Sequence, residues 1–230
     1  MTDFLASAGD TLAYVGTLMP ALLKGTLITV ELFAVTLVLS LPLGLPIALG
    51  ETSKIRVIRW ICNAFVFVFR GTPLMLQLFF FYFFFPIYLG IKFPPFQTAA
   101  FTFILNYAAY FAEIYRGGIN SIDRGQYEAA HSLGLSKVKT MFGIIIPQTM
   151  KVVLPPISNE AIVLIKDTAL VSVIAVAELM KVSRGIANRD VNMLAYVIAA
   201  AIYLVFTFLL TLVLKYIEKR FSRYDNKEEW

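Results

Sequence analysis

Two carboxylates, Glu160 and Asp167, stand seven residues apart in the apolar stretch "PPISNEAIVLIKDTALVSVIAVA". Asn159 and Lys166 each precede one of them. On a helix, positions 160, 163/164 and 167 share one face, and 159 and 166 share the neighbouring face. The chemistry this set offers is ion recognition. Carboxylates hold an ammonium or guanidinium, while a lysine and an amide hold a carboxylate. An ionisable group in hydrocarbon costs at least ~2.5–3.5 kcal/mol at mid-span, so each one there marks a candidate site. Lys166 and Asp167 can neutralise one another, whereas Glu160 lacks a sequence-near partner. Two readings stand for Glu160: contact with a bound cation, or an ion pair with a base such as Arg70 or Lys166. Glu113, three residues before Arg116, reads as a structural ion pair, and Glu31 as an interhelical hydrogen bond.

A second group sits at "RGTP", 70–73. Thr72 is a good N-cap and Pro73 a good first helical residue. The amides of Leu74 and Met75 would then face outward with the positive end of the helix dipole, a geometry that holds anionic substrate groups in membranes. The plainer reading is an interface turn at which a span begins.

Other chemistries lack their residues. There is no Gly-x-x-x-x-Gly-Lys-Ser/Thr phosphate loop, so ATP has no ordinary site in this chain. The single histidine, His131, and single cysteine, Cys62, leave no metal-ligand spacing, no disulfide framework and no nucleophile–base pair for a membrane hydrolase.

These side chains are positioned by membrane helices. Only 15% of the residues are charged, well below the quarter usual in soluble proteins, and the mean hydropathy is +0.75. The net charge of +5 is therefore read as topological rather than as nucleic-acid binding. The amino terminus carries Asp3 and Asp10 and no early base, so no cleavable signal peptide is expected. Apolar runs predict spans at 26–49, interrupted by Pro42 and Pro46, then at 73–90, 96–115, 152–177 and 191–214. In the fourth, "PP" at 155–156 is read as setting the helix start. The run 57–69 is too short to span alone, and a break at 70–73 makes it an interfacial piece. Five spans place thirteen Lys and Arg on one side, including Lys137, Lys139 and the tail, against five on the other. The richer side is expected to be cytoplasmic, with the amino terminus outside.

On that side lies "QYEAAHSLGLSKVKT", 126–140. A short helix with a small stripe of Ala129, Ala130 and Leu133 ends at Gly134 as a C-terminal cap. Ser136 caps a second helix running to Pro147. The result is either an interfacial hairpin or a knob suited to a groove on a soluble partner.

The pattern Glu128-Ala129-Ala130, Gly134, Ile144, Ile146 and Pro147 resembles the EAA loop of ABC-importer permeases, with Ile146 where the family has Leu. The segments "FRGTPLMLQLFF", "AEIYRGGINSIDRGQYEAA" and "PQTMKVVLPPISNEAIVLIKDTALVSVI" extend the likeness to the polar-amino-acid (histidine/glutamine/arginine-type) branch over residues 20–215. The resemblance implies an all-α membrane fold of five helices with a cytoplasmic two-helix coupling loop at about 117–150. The remaining divisions are an extracytoplasmic segment 1–25, a permease domain 26–215 and a cytoplasmic tail 216–230. It also implies ATP-binding subunits that hold ATP and Mg and receive Glu128, Ala129, Ala130 and Gly134. A second permease subunit, identical or not, and an extracytoplasmic amino-acid-binding protein complete the set, in the bacterial inner membrane. The expected substrate is a polar amino acid, cationic by the acid excess, held by Glu160, Asn159, Asp167, Lys166 and Thr72. An ion-coupled secondary carrier or channel is the alternative; the lack of an inverted repeat and the docking knob argue against it.

Overall fold

The computed structural model describes residues 2–222, with side chains from 11 to 221. The last residues of the expected tail, 223–230, lie outside the described residues. Nine α-helices account for nearly all of it: α1 (Thr2–Glu51), α2 (Arg56–Gly71), α3 (Leu74–Tyr88), α4 (Pro95–Asn120), α5 (Arg124–Ser132), α6 (Lys137–Thr140), α7 (Ile146–Asp167), α8 (Leu179–Asp190) and α9 (Leu194–Ser222). A π-helical turn, Met141–Ile145, joins α6 to α7, and a 3-10 stretch, Thr168–Ile174, follows α7.

Among the described residues, two helices are long and apolar enough to cross a membrane alone, Thr11–Glu51 and Leu194–Phe221. Helices α2 and α3 pass that test together as one bent pair. In α4 and α7 the side chains of Asn106, Glu113, Arg116, Glu160, Lys166 and Asp167 dilute the apolar run.

The expected interruption of the first span at Pro42 and Pro46 is absent. Helix α1 is continuous through Pro20, Pro42 and Pro46. Within a bilayer the alternative to a strained helix is unsatisfied backbone in hydrocarbon, and neighbouring hydroxyls re-satisfy what proline frees. Thr29 and Ser40 bond back to the carbonyls of Gly25 and Thr36 in the same helix, although these are not the carbonyls that its prolines free. The residues 2–25 of the expected amino-terminal segment belong to this helix too. Pro155 and Pro156 likewise lie inside α7 rather than at its start, and Pro147 does not end the helix before it. The π turn ends at Ile145, two residues before Pro147. Proline has no N–H for the carbonyl four residues back, and its ring crowds that carbonyl, so a widened turn there takes up the misfit.

Helix α4 is the centre of the packing. Its Phe103, Tyr107 and Phe111 are fully buried against Leu32 of α1, Leu78 of α3 and Leu164 and Ile165 of α7. Gly44 brings α1 so near that an added Cβ would lie 2.9 Å from the Phe111 Cβ and 3.1 Å from the Ala108 carbonyl oxygen. Small residues of this kind let membrane helices approach closely. Helix α8 closes the other end, packed on α1 and α9 around Leu18, Leu22, Leu179 and Ala195.

Candidate functional site

The break between α2 and α3 is built by sequence. A residue before proline is driven out of the helical region, and Thr72 is extended at φ −118° and ψ 144°. The two helices meet at 109°. Thr72 is therefore the last cap of α2, not the first of α3. Its hydroxyl donates to the Val68 carbonyl at 2.8 Å, and Pro73 occupies the N-cap position without any side-chain cap. Two amides fix the corner. Gln77 Nε2 donates to the Phe69 carbonyl at 2.9 Å and to Thr72 Oγ1 at 2.8 Å. Asn106 Nδ2 donates to the same carbonyl and to Gln77 Oε1, both at 3.0 Å. The carbonyl freed by the break is thus held from α3 and α4.

Against this corner lies a cavity of about 420 Å³. Its walls are the 70–74 corner, Asn106, Tyr107 and Tyr110 of α4, and Glu160, Val163 and Asp167 of α7. Glu160 and Asp167 therefore share one space, as their spacing predicts. Tyr107 donates its hydroxyl to Asp167 Oδ2 at 2.8 Å. Arg70 lies over the Tyr110 ring, 5.4 Å from its centroid, and 3.6 Å from Glu113 Oε2. Arg116 makes the closer pair with Glu113, its Nε 3.0 Å from Oε2. Asn159 and Lys166 are exposed and are not among the cavity residues. Among the charged cavity residues there are two acids and one base.

Sequence reasoning missed Tyr107, Tyr110, Asn106 and Gln77, which look like ordinary members of aromatic or apolar runs. Their signal, had it been weighed, was helical spacing: 106, 107 and 110 repeat on one face. It also missed Glu178. That carboxylate is fully buried, caps α8 by accepting from the Met180 and Lys181 amides at 2.7 Å, and accepts from the Tyr203 hydroxyl at 3.1 Å. At the far end of α8, beyond the spans, Arg189 with the Tyr14 hydroxyl holds the Asp190 carboxyl down to about 2.

The polar hairpin is a second feature. Asp123 caps α5. Gly134 stands at φ +72°, its amide bonding the His131 carbonyl and the Leu135 amide the Ala130 carbonyl, at 2.9 and 3.0 Å. This double bond pattern is the Schellman end expected of a glycine there. Ser136 Oγ accepts from the Lys139 amide at 3.3 Å, capping α6. Glu128, Ala129 and Leu133 are exposed and Ala130 is buried.

The chain is thus a set of packed, largely apolar helices with two acids and one base around a cavity at a broken helix pair. The model of the binding-protein-dependent transport system inner membrane component family matches residues 40–223, and the chain belongs to that family. It is 41% identical over 210 residues to the L-cystine transport system permease protein TcyB of Bacillus subtilis (strain 168), covering 90% of this chain and 89% of that protein. It is 38% identical over 208 residues to the arginine transport system permease protein ArtQ of the same organism, covering 90% and 95%. The crystal structure of an amino acid ABC transporter with histidines superposes with a TM-score of 0.84 at 36% identity, covering 91% of this chain and 97% of that one. The relatives are amino-acid ABC permeases, as the Glu128–Pro147 motif leads one to expect.

Proposed function

We propose that this chain is the membrane subunit of an ATP-driven importer of amino acids and that it prefers a cationic one, the cavity being its substrate site. The observation that carries this is the shared cavity of Glu160 and Asp167 with one base beside them. An amino acid with a basic side chain brings two positive groups and one carboxylate, matching two acids and a base. The relatives are named for L-cystine, glutamine and arginine, so the cationic preference rests on the charges of the cavity and not on their names.

Five crossings complete the reading: α1, the bent α2–α3 pair, α4, α7 and α9, with the amino terminus outside and residues 117–150 cytoplasmic. The exposed α5–α6 hairpin docks on an ATP-binding subunit through Glu128, Ala129, Ala130 and Gly134. ATP and Mg bind there and not on this chain. A second permease and an extracytoplasmic binding protein complete the assembly, and the lipid-facing surface of α9 is apolar.

Glu160→Gln tests the site. It keeps shape and hydrogen bonding but removes a charge, and a charged hydrogen bond is worth ~1.5–3 kcal/mol. Arginine uptake and arginine-stimulated ATP hydrolysis should weaken by roughly 10- to 150-fold. Glutamine should lose less. An unchanged preference alongside a reduced yield would make Glu160 a structural residue.

A further inference from the structure

Arg70 is the only charged cavity residue, among the described residues, that also touches an ion pair outside the cavity. It occupies the last turn of α2 with its side chain 40% exposed. Its contact with Glu113 is 3.6 Å, longer than the ~2.7–2.9 Å of strong charge-assisted bonds. Glu113 already engages Arg116 through both oxygens, so Arg70 holds the weaker claim on it. On its other side Arg70 lines the same cavity as Glu160. The guanidinium thus stands between two acidic groups, one inside the cavity and one outside.

We infer that Glu113 makes Arg70 a specificity-determining residue: its charge keeps the guanidinium from becoming the counter-ion of Glu160, so that Glu160 and Asp167 receive the cationic groups of a substrate while Arg70 still faces its carboxylate. This rests on the cavity being the substrate site. When Arg70 is released it becomes the counter-ion of Glu160, and the cavity then suits a zwitterion with a neutral side chain. Charge counting fixes the pattern of variants. Arg70, Glu113 and Arg116 carry one net positive charge. Glu113→Gln raises this to two, and adding Arg70→Gln returns it to one. Arg70→Gln alone makes it zero and leaves the cavity more negative.

The test is equilibrium binding of arginine and of glutamine to the purified transporter, assembled with its ATP-binding subunits. E113Q should lower the arginine-over-glutamine preference roughly 10-fold, the factor of one charged contact. The double variant E113Q/R70Q should return to within about 3-fold of wild type, inside the error of non-interacting changes. E113D, which keeps the charge, should retain the preference. Equal loss for both ligands in E113Q, or no recovery in the double variant, overturns the inference. Should E113Q fail to assemble, R70Q alone decides, since it leaves the Glu113–Arg116 pair intact: the arginine preference must rise, and a fall or no change overturns the inference. E160Q separates the two levels. If it leaves the preference untouched, the cavity reading fails and this inference with it. If it removes the preference while R70Q restores nothing in E113Q, only the role of Arg70 falls.

Discussion

Tyr107 joins α4 to α7 beside the cavity with one short bond to Asp167, the tyrosine buried and the carboxylate half-buried. Breaking it while keeping the ring isolates its worth. Tyr107→Phe should lower the stability of the detergent-solubilised complex by about 1.5–3 kcal/mol, the range for a bond to a charged acceptor. Thermal unfolding of Tyr107→Phe, Asp167→Asn and the double variant should give a non-additive cycle; strict additivity would mean that the two side chains do not support one another. The spacing of Glu160 and Asp167 was enough to put them on one face, because helical periodicity is local. Their tyrosine and amide neighbours were not legible, since which of many aromatic residues reaches a carboxylate is settled by tertiary packing. Asn159 and Lys166 failed as cavity residues for the same reason: sharing a neighbouring face says nothing of which face the cavity takes.

At the scale of the element, Gly134 shows how far a single backbone angle reaches. A Cβ there would meet nothing within 4 Å, so room is not what demands glycine. The demand comes from φ +72°, which costs β-branched residues roughly 1–3 kcal/mol and asparagine much less. Gly134→Val should therefore leave the chain in the membrane but abolish co-purification of the ATP-binding subunit, while Gly134→Asn should retain it. Normal coupling in both would remove the hairpin from the docking role. The hairpin's caps were readable because Gly, Ser and Asp act on their immediate neighbours. The break at 70–73 was readable too, since Gly-Thr-Pro has few other options. Helix ends at proline were misread. Rules learned for helices in water treat proline as a terminator, whereas in α1 and α7 the bilayer makes an open backbone costlier than a strained one.

For the whole molecule, the orientation proposed from the sidedness of basic residues is open to direct measurement. In a background with Cys62→Ala, Lys137→Cys should be labelled by an impermeant thiol reagent only from the cytoplasmic side. Lys92→Cys should be labelled only from outside. The reverse pattern would overturn both the orientation and the face on which the ATP-binding subunit docks. The α-helical class and the family were legible from composition and four ordered motifs. Of the five expected spans, two helices qualify alone and one bent pair qualifies together among the described residues, while α4 and α7, expected as spans at 96–115 and 152–177, carry polar groups that keep them below that mark.

The length of α1 bears on how such an assembly can move. Its 41 residues from Thr11 to Glu51 reach about 60 Å, against a hydrocarbon thickness of about 30 Å. Even at a tilt of about 40° the rod overshoots the bilayer. Its far end, at Leu18 and Leu22, is clasped by α8 and α9, and its near end, at Gly44, is pressed into α4. A beam gripped at both ends carries displacement across the membrane and cannot absorb it. Hinges belong where the hydrogen-bond ladder is already interrupted or widened, at the 72–73 corner beside the cavity and at the turn of Met141–Ile145 above the hairpin.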